Sequence, residues 1–230
     1  AELYPRVVTA GTLDGLIVTA TRMGDPLVAR LIAGALPWVM VGRPDIDGVS
    51  YVNVDNHDGA RQVAAHLCGL GRRRIGMIGG PTSTTAGLDR SNGFVDGLAE
   101  CGQTLDPLLA VEGDFSEDGG YAAMRQLVGR RPDGVFVASD TMAVGALRAA
   151  ADSGVRVPED VAVVGFDGLP TSEKTSPSLT TVHQPITATG IAAVTMLNDL
   201  VSGVATHPAV EILPVDLIVR ESTGATVGAQ

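Results

Sequence analysis

The chain reads as an α/β protein with doubly wound, largely parallel sheets, and three observations predict this. Six short runs are almost continuously apolar and rich in Val and Ile, as strands covered on both faces must be. Amphipathic stretches with helical spacing alternate with them. Glycine and proline mark the joints, as at Gly79-Gly80-Pro81 and Gly154. At 230 residues and 45% hydrophobic content, the chain can bury the core of one large domain or two small ones.

Taken in order, strands are predicted at 14–20, 37–42 and 50–55. A helix follows in "DNHDGARQVAAHLCGLG", where Ala60, Val63, Ala64, Leu67 and Leu70 share one face and Gly71 suits a left-handed cap. Next come a strand at 74–80, helices near 86–101 and 117–129, and a strand at 133–139. "SDTMAVGALRAAADSG" opens on two capping residues and closes on Gly154. A strand at 160–167 and a helix over 186–202 complete the series, with no low-complexity linker and no solenoid repeat. The opening "AELYPRVVTAGTLDG" reads as the tail of a helix already under way. It has neither a basic start nor an apolar core of signal-peptide type, and no apolar run approaches the ~20 residues of a membrane span.

Composition narrows the function. The formal charge is -10, and no basic run exceeds Arg72–Arg74, so these residues offer no footprint for a phosphate backbone. Cys68 and Cys101 make no disulfide framework and read as reduced thiols of a cytoplasmic protein. The stretch "RIGMIGGPTSTTAGLDRSNGF" looks at first like a phosphate loop. A P-loop needs a lysine after its last glycine, and the first lysine is Lys174; the dinucleotide fingerprint fails on glycine spacing. There is no G-x-S-x-G elbow, and His57, His66, His183 and His207 sit at no metal-ligand spacing. The expectation is therefore a protein that is not an enzyme and uses no cofactor or metal. An enzyme working through Asp140 and Asp167 would lack the phosphate lysine and a third ligand.

What stands out is a set of polar residues at the C-terminal ends of strands, where open α/β sheets bind ligands. Ser139, Asp140, Asp167 and Arg90 each have a plain alternative as cap, turn or solvated charge. Together on one sheet edge they point to a site where an arginine and a facing carboxylate grip vicinal hydroxyls. Phe115 and Trp38 are the candidate stacking surfaces in a chain with only 3% aromatic residues.

The segments "GARQVAAHLCGLGRRRIGMIGGP", "LDRSNGFVDGL", "VEGDFSEDGGYAAMRQL", "VFVASDTMAVGALRAAADSGVRVPEDVAVVGFDGLP", "SPSLTTVHQP" and "RESTG", in this order, closely resemble the effector-binding domain of LacI/GalR-family transcriptional regulators. The resemblance runs from about residue 14 to 224. It implies a periplasmic-binding-protein-like fold of two Rossmann-like lobes with parallel sheets and three crossovers, near 53–55, 184–185 and 208–213. The N-terminal lobe would comprise 1–54 plus 185–210 and lack its first two strands; the C-terminal lobe would comprise 55–184 plus 211–224. A helix-turn-helix DNA-binding domain would precede this chain. The implied function is allosteric: a small effector in the interlobe cleft (a sugar, sugar phosphate, nucleoside or purine) changes lobe closure and so the affinity for operator DNA. Repressor and activator stay equally open. A solute-binding protein would share the fold, but not "VPEDVAVVGFDGLP".

Carried over by motif, the resemblance assigns ligand binding to Arg90, Asp167, Ser139, Phe115, Gln184 and Thr84, with Ser139 standing where the family most often has asparagine. Replacing Arg90 with Ala is expected to abolish effector binding with little loss of fold. A homodimer interface is implied at Met142, Leu147 and Ser172 in the 170–177 loop. No membrane partner is expected.

Overall fold

A computed structural model of the chain describes residues 13–19, 22–204 and 208–224. The helix tail read into the first twelve residues and His207 lie outside the described residues. The elements run β1 (Leu16–Thr19), α1 (Pro26–Ala33), β2 (Trp38–Val41), β3 (Tyr51–Val54), α2 (Asn56–Gly69), β4 (Ile75–Gly79), α3 (Thr85–Glu100), β5 (Ala110–Glu112) and α4 (Glu117–Val128). They continue with β6 (Gly134–Val137), α5 (Asp140–Asp152), β7 (Ala162–Asp167), β8 (Thr180–His183), α6 (Ile186–Val201), β9 (Val210–Leu213) and β10 (Asp216–Ile218).

The chain divides into two compact units. The first holds the described residues up to Val54, Ser83–Thr85 and Pro185–Pro214. Its sheet has the order β1-β2-β3-β9, with all strands parallel. Strand β2 shows why the run "WVMV" is apolar throughout: Trp38 and Met40 join Leu27, Val28 and Leu31 of α1, whereas Val39 joins Ala193, Met196 and Leu200 of α6. Trp38 is therefore core, 5% exposed, and not the stacking surface expected of it. The sequence reading omitted α1, which starts at Asp25, whose carboxylate accepts from Leu27 N, followed by a proline in the first turn.

The second unit holds Asp55–Thr82, Ala86–Gln184 and the described residues from Val215 onward. Its six strands take the order β10-β8-β7-β6-β4-β5, parallel except for β10 against β8. Its core is built on Phe94, Phe136 and Phe166, with ring centroids 4.8 and 6.5 Å apart in succession. Helix α2 buries Ala60, Val63, Ala64 and Leu67 as its spacing predicts. Leu70 instead sits at the C-cap, 44% exposed, because the chain turns out of the helix at Gly71 with φ +77°.

The division expected at 210/211 lies further on. Residues 210–213 form β9 and pair with β3, from Tyr51 opposite Val210 to Val54 opposite Leu213, so their backbone bonds tie them to the first sheet. Ser83–Thr85 also join the first unit: Met23 N donates to Ser83 O at 2.8 Å, and Thr85 Oγ1 to Arg43 O at 2.6 Å.

Candidate ligand-binding site

The second unit gathers Arg90, Asp167 and Gln184 at the C-terminal ends of its strands. Arg90, in the second turn of α3, is 6% exposed, and its planar head is fixed from several sides. Nε donates to Asn56 Oδ1 at 2.8 Å. Nη1 donates to Ala138 O at 2.6 Å and to Asp167 Oδ1 at 2.9 Å. The guanidinium lies over the Phe166 ring, 3.9 Å from its centroid, with Phe115 at 5.9 Å. Burial pulls the Arg90 pKa down and the Asp167 carboxylate opposes this, so the ion pair keeps the charge in place.

Asp167 ends β7 with φ +118°, a backbone conformation that a non-glycine residue rarely adopts. Oδ1 accepts from both Arg90 and Gln184 Nε2, the latter at 2.6 Å. Gln184 N also donates to Asp167 O at 3.1 Å, so Gln184 is pinned to its neighbour through main chain and side chain. Among the described residues, Arg90 Nη2, Asp167 Oδ2 and Gln184 Oε1 have no protein partner. No buried side-chain nitrogen or oxygen among them is left unpaired, so these three atoms reach the surface. The cluster presents one double donor and two acceptors, a pattern that matches adjacent hydroxyl groups.

The glycine-rich turn has a steric purpose. A Cβ on Gly80 would strike the Phe115 ring, so glycine lets that ring settle beside Arg90. Phe115 itself is half-buried, with φ +64°. Asp140 is fully buried, and its role is to brace the turn: Oδ2 accepts from Leu169 N at 2.7 Å and Oδ1 from Thr181 Oγ1 at 2.6 Å. Burial pushes its carboxyl up to about 6.

The other predicted residues divide. Ser139 follows Ala138, the acceptor for Arg90, and its Oγ caps α5 by accepting from Met142 N at 3.2 Å. Thr84 groups by its contacts with the first unit, not with this cluster. Met142 and Ser172 have no exposed surface and Leu147 is 7% exposed. These three side chains pack within the second unit. Sequence reasoning missed Asn56 and Phe166. Asn56 does follow the end of β3, the kind of position that revealed Asp167, but Phe166 reads only as strand core.

No described helix is long and apolar enough to cross a membrane, and no group of three or more metal-binding side chains occurs among the described residues. Two α/β units on parallel sheets fit the periplasmic binding protein-like class, and the family model of that description matches residues 64–223. The HTH-type transcriptional regulator CelR of Thermobifida fusca is 41% identical over 215 residues, covering 91% of this chain and 63% of CelR. A solved complex of transcriptional regulator CelR with cellobiose superposes with a TM-score of 0.92 at 39% identity, covering 95% of this chain and 69% of that one. A regulatory protein of the LacI family from Chloroflexus aggregans superposes with a TM-score of 0.88 at 30% identity, covering 96% and 80%. The chain belongs to the LacI family of transcriptional regulators. It spans 63% of the length of CelR.

Proposed function

We propose that this chain is the effector-sensing part of a cytoplasmic DNA-binding regulator and that Arg90, Asp167 and Gln184 grip a neutral sugar. Phe115 and the Ser139 hydroxyl flank that grip. The observation that carries the reading is the trio of free polar atoms, Arg90 Nη2, Asp167 Oδ2 and Gln184 Oε1, held by partners that leave no freedom to reorient. The acceptor oxygen of Asp167 beside the arginine favours a hydroxyl donor over a phosphate, which offers oxygens that only accept. Of the effector classes considered, a neutral saccharide fits better than a sugar phosphate. CelR's complex with cellobiose makes that disaccharide the first compound to test.

Operator binding would come from a helix-turn-helix segment, as the name of CelR implies, because a net charge of -10 leaves this chain little attraction for DNA. Such regulators act as homodimers, and effector binding would alter DNA affinity through one shared two-state equilibrium. As part of a regulator, like the relatives it matches, the site would serve binding.

The test is calorimetric titration of the chain with cellobiose, glucose 6-phosphate and adenine, repeated on Gln184→Ala. Saturable binding of cellobiose that weakens about tenfold in the variant, roughly 1.4 kcal/mol by RT ln K, supports the reading. Binding of the phosphate or the purine in preference, or no effect of the substitution, overturns it.

A further inference from the structure

We propose that Cys68 and Cys101 form a redox-active dithiol, a site of covalent modification at which a peroxide closes a disulfide across the ends of α2 and α3.

The argument begins with the register of the two helices. They run side by side in the same direction, and their seam can be followed turn by turn. A Cβ on Gly93 would strike the main chain of His57, and one on Gly97 would come 2.8 Å from both Ala64 Cβ and Arg61 O. Ion pairs cross the same seam, His57 Nε2 to Asp96 Oδ2 at 2.8 Å and Arg61 Nη1 to Glu100 Oε2 at 3.1 Å. One further turn brings Cys68 opposite Cys101 across the seam, near enough for Cys101 to raise the Cys68 thiol's pKa. Gln103 holds Cys68 from the side: Nε2 donates to Cys68 Sγ at 3.3 Å and to Arg72 O at 3.0 Å. Both cysteines are partly exposed, so a small oxidant can reach them.

The two thiols are not equivalent. Burial and the neighbouring Cys101 push Cys68 up to about 12, so it carries almost no thiolate at neutral pH. Attack therefore falls to Cys101. Its thiolate sulfur displaces one oxygen of hydrogen peroxide, which leaves as water after taking a proton, and Cys101 becomes a sulfenic acid. The Cys68 sulfur then attacks that sulfur and loses its proton, the S–O bond breaks, and a second water departs as the S–S bond forms. Two thiols and one peroxide give one disulfide and two waters. The product fastens the end of α3, the helix that carries Arg90, to α2.

The experiment treats the chain with hydrogen peroxide, blocks remaining thiols with a maleimide, and measures intact mass and a peptide map. The expected product takes up no maleimide, has lost two hydrogens, shows the Cys68 and Cys101 peptides joined within one chain, and returns to the dithiol with dithiothreitol. Cys68→Ser should accumulate a dimedone-reactive sulfenic acid at Cys101, whereas Cys101→Ser should leave Cys68 a free thiol under the same exposure. The cross-link should also raise Tm relative to the reduced chain. Thiols that stay maleimide-reactive, oxidation past sulfenic acid without linkage, or bridges only between chains would each overturn the proposal. None of these readouts depends on which effector the chain binds.

Discussion

Arg90 forms part of the second unit's interior as well as its ligand-facing edge, which changes what its removal should do. Arg90→Ala would leave Asn56 Oδ1 and Ala138 O without their donor, Asp167 without its cation, and the Phe166 face without its cover. Removing one partner of a buried ion pair costs about 3–5 kcal/mol, here toward the lower end because Asp167 is 19% exposed. The sequence-based expectation of little loss of fold therefore gives way to a substantial one. Urea denaturation should place the variant about 3 kcal/mol below the parent. Asp167→Asn isolates binding better: it keeps the volume and an acceptor for Arg90 while removing the charge. Its affinity for a bound sugar should fall by about tenfold to a hundredfold, the loss of about 1.5–3 kcal/mol typical of a hydrogen bond to a charged group. Calorimetry checks this, and an unchanged affinity would remove Asp167 from the site.

At the scale of elements, glycines decide how closely helices approach, and identical substitutions should have opposite signs. A Cβ at Gly120 of α4 would strike the carbonyl of Met142 in α5, so Gly120→Ala must push two helices apart. A loss of about 2 kcal/mol or more is expected. Gly190 in α6 has open space around its missing Cβ, so Gly190→Ala should stabilise by about 0.5–1 kcal/mol through helix propensity alone. Chemical denaturation of the pair checks both. Helices α2 to α6 were legible because each spans three turns or more and repeats its apolar spacing. Helix α1 has eight residues, too few for a period to stand out, and β9 is exposed along most of its length, so no burial pattern marks it. The same limit governs the site. Arg90 and Asp167 were legible because strand ends announce them, Gln184 only through the family resemblance, and Ser139 as the cap that it is. Asn56, Phe166 and the bracing role of Asp140 depend on contacts across 29 to 41 residues of chain or on ring stacking, and no local pattern records those.

For the molecule as a whole, stability against pH should carry the mark of one buried carboxyl. Asp140 titrates at about 6 in the folded chain, against 3.8 when unperturbed, because burial disfavours its charge. The folded state thus holds a proton that the unfolded state has already released. The stabilisation is complete below about pH 4 and is lost as pH rises through 6. A difference of about two pKa units corresponds to roughly 3 kcal/mol. The lowered carboxyls of Asp58, Asp114 and Glu221 act in the opposite sense, losing stabilisation as pH falls, so the parent's profile alone would blend the two. The difference between parent and Asp140→Asn separates them. Asparagine keeps the shape but not the titration, and its loss of one acceptor toward Thr181 or Leu169 is independent of pH. Unfolding free energies measured from pH 4 to 7 should show the parent's advantage over Asp140→Asn shrinking by about 3 kcal/mol as pH rises. An advantage that grows with pH would mean that the donors from Thr181 and Leu169 outweigh burial and hold Asp140 ionised. The turn bearing Asp167 would then be fastened by a charge instead of a shared proton.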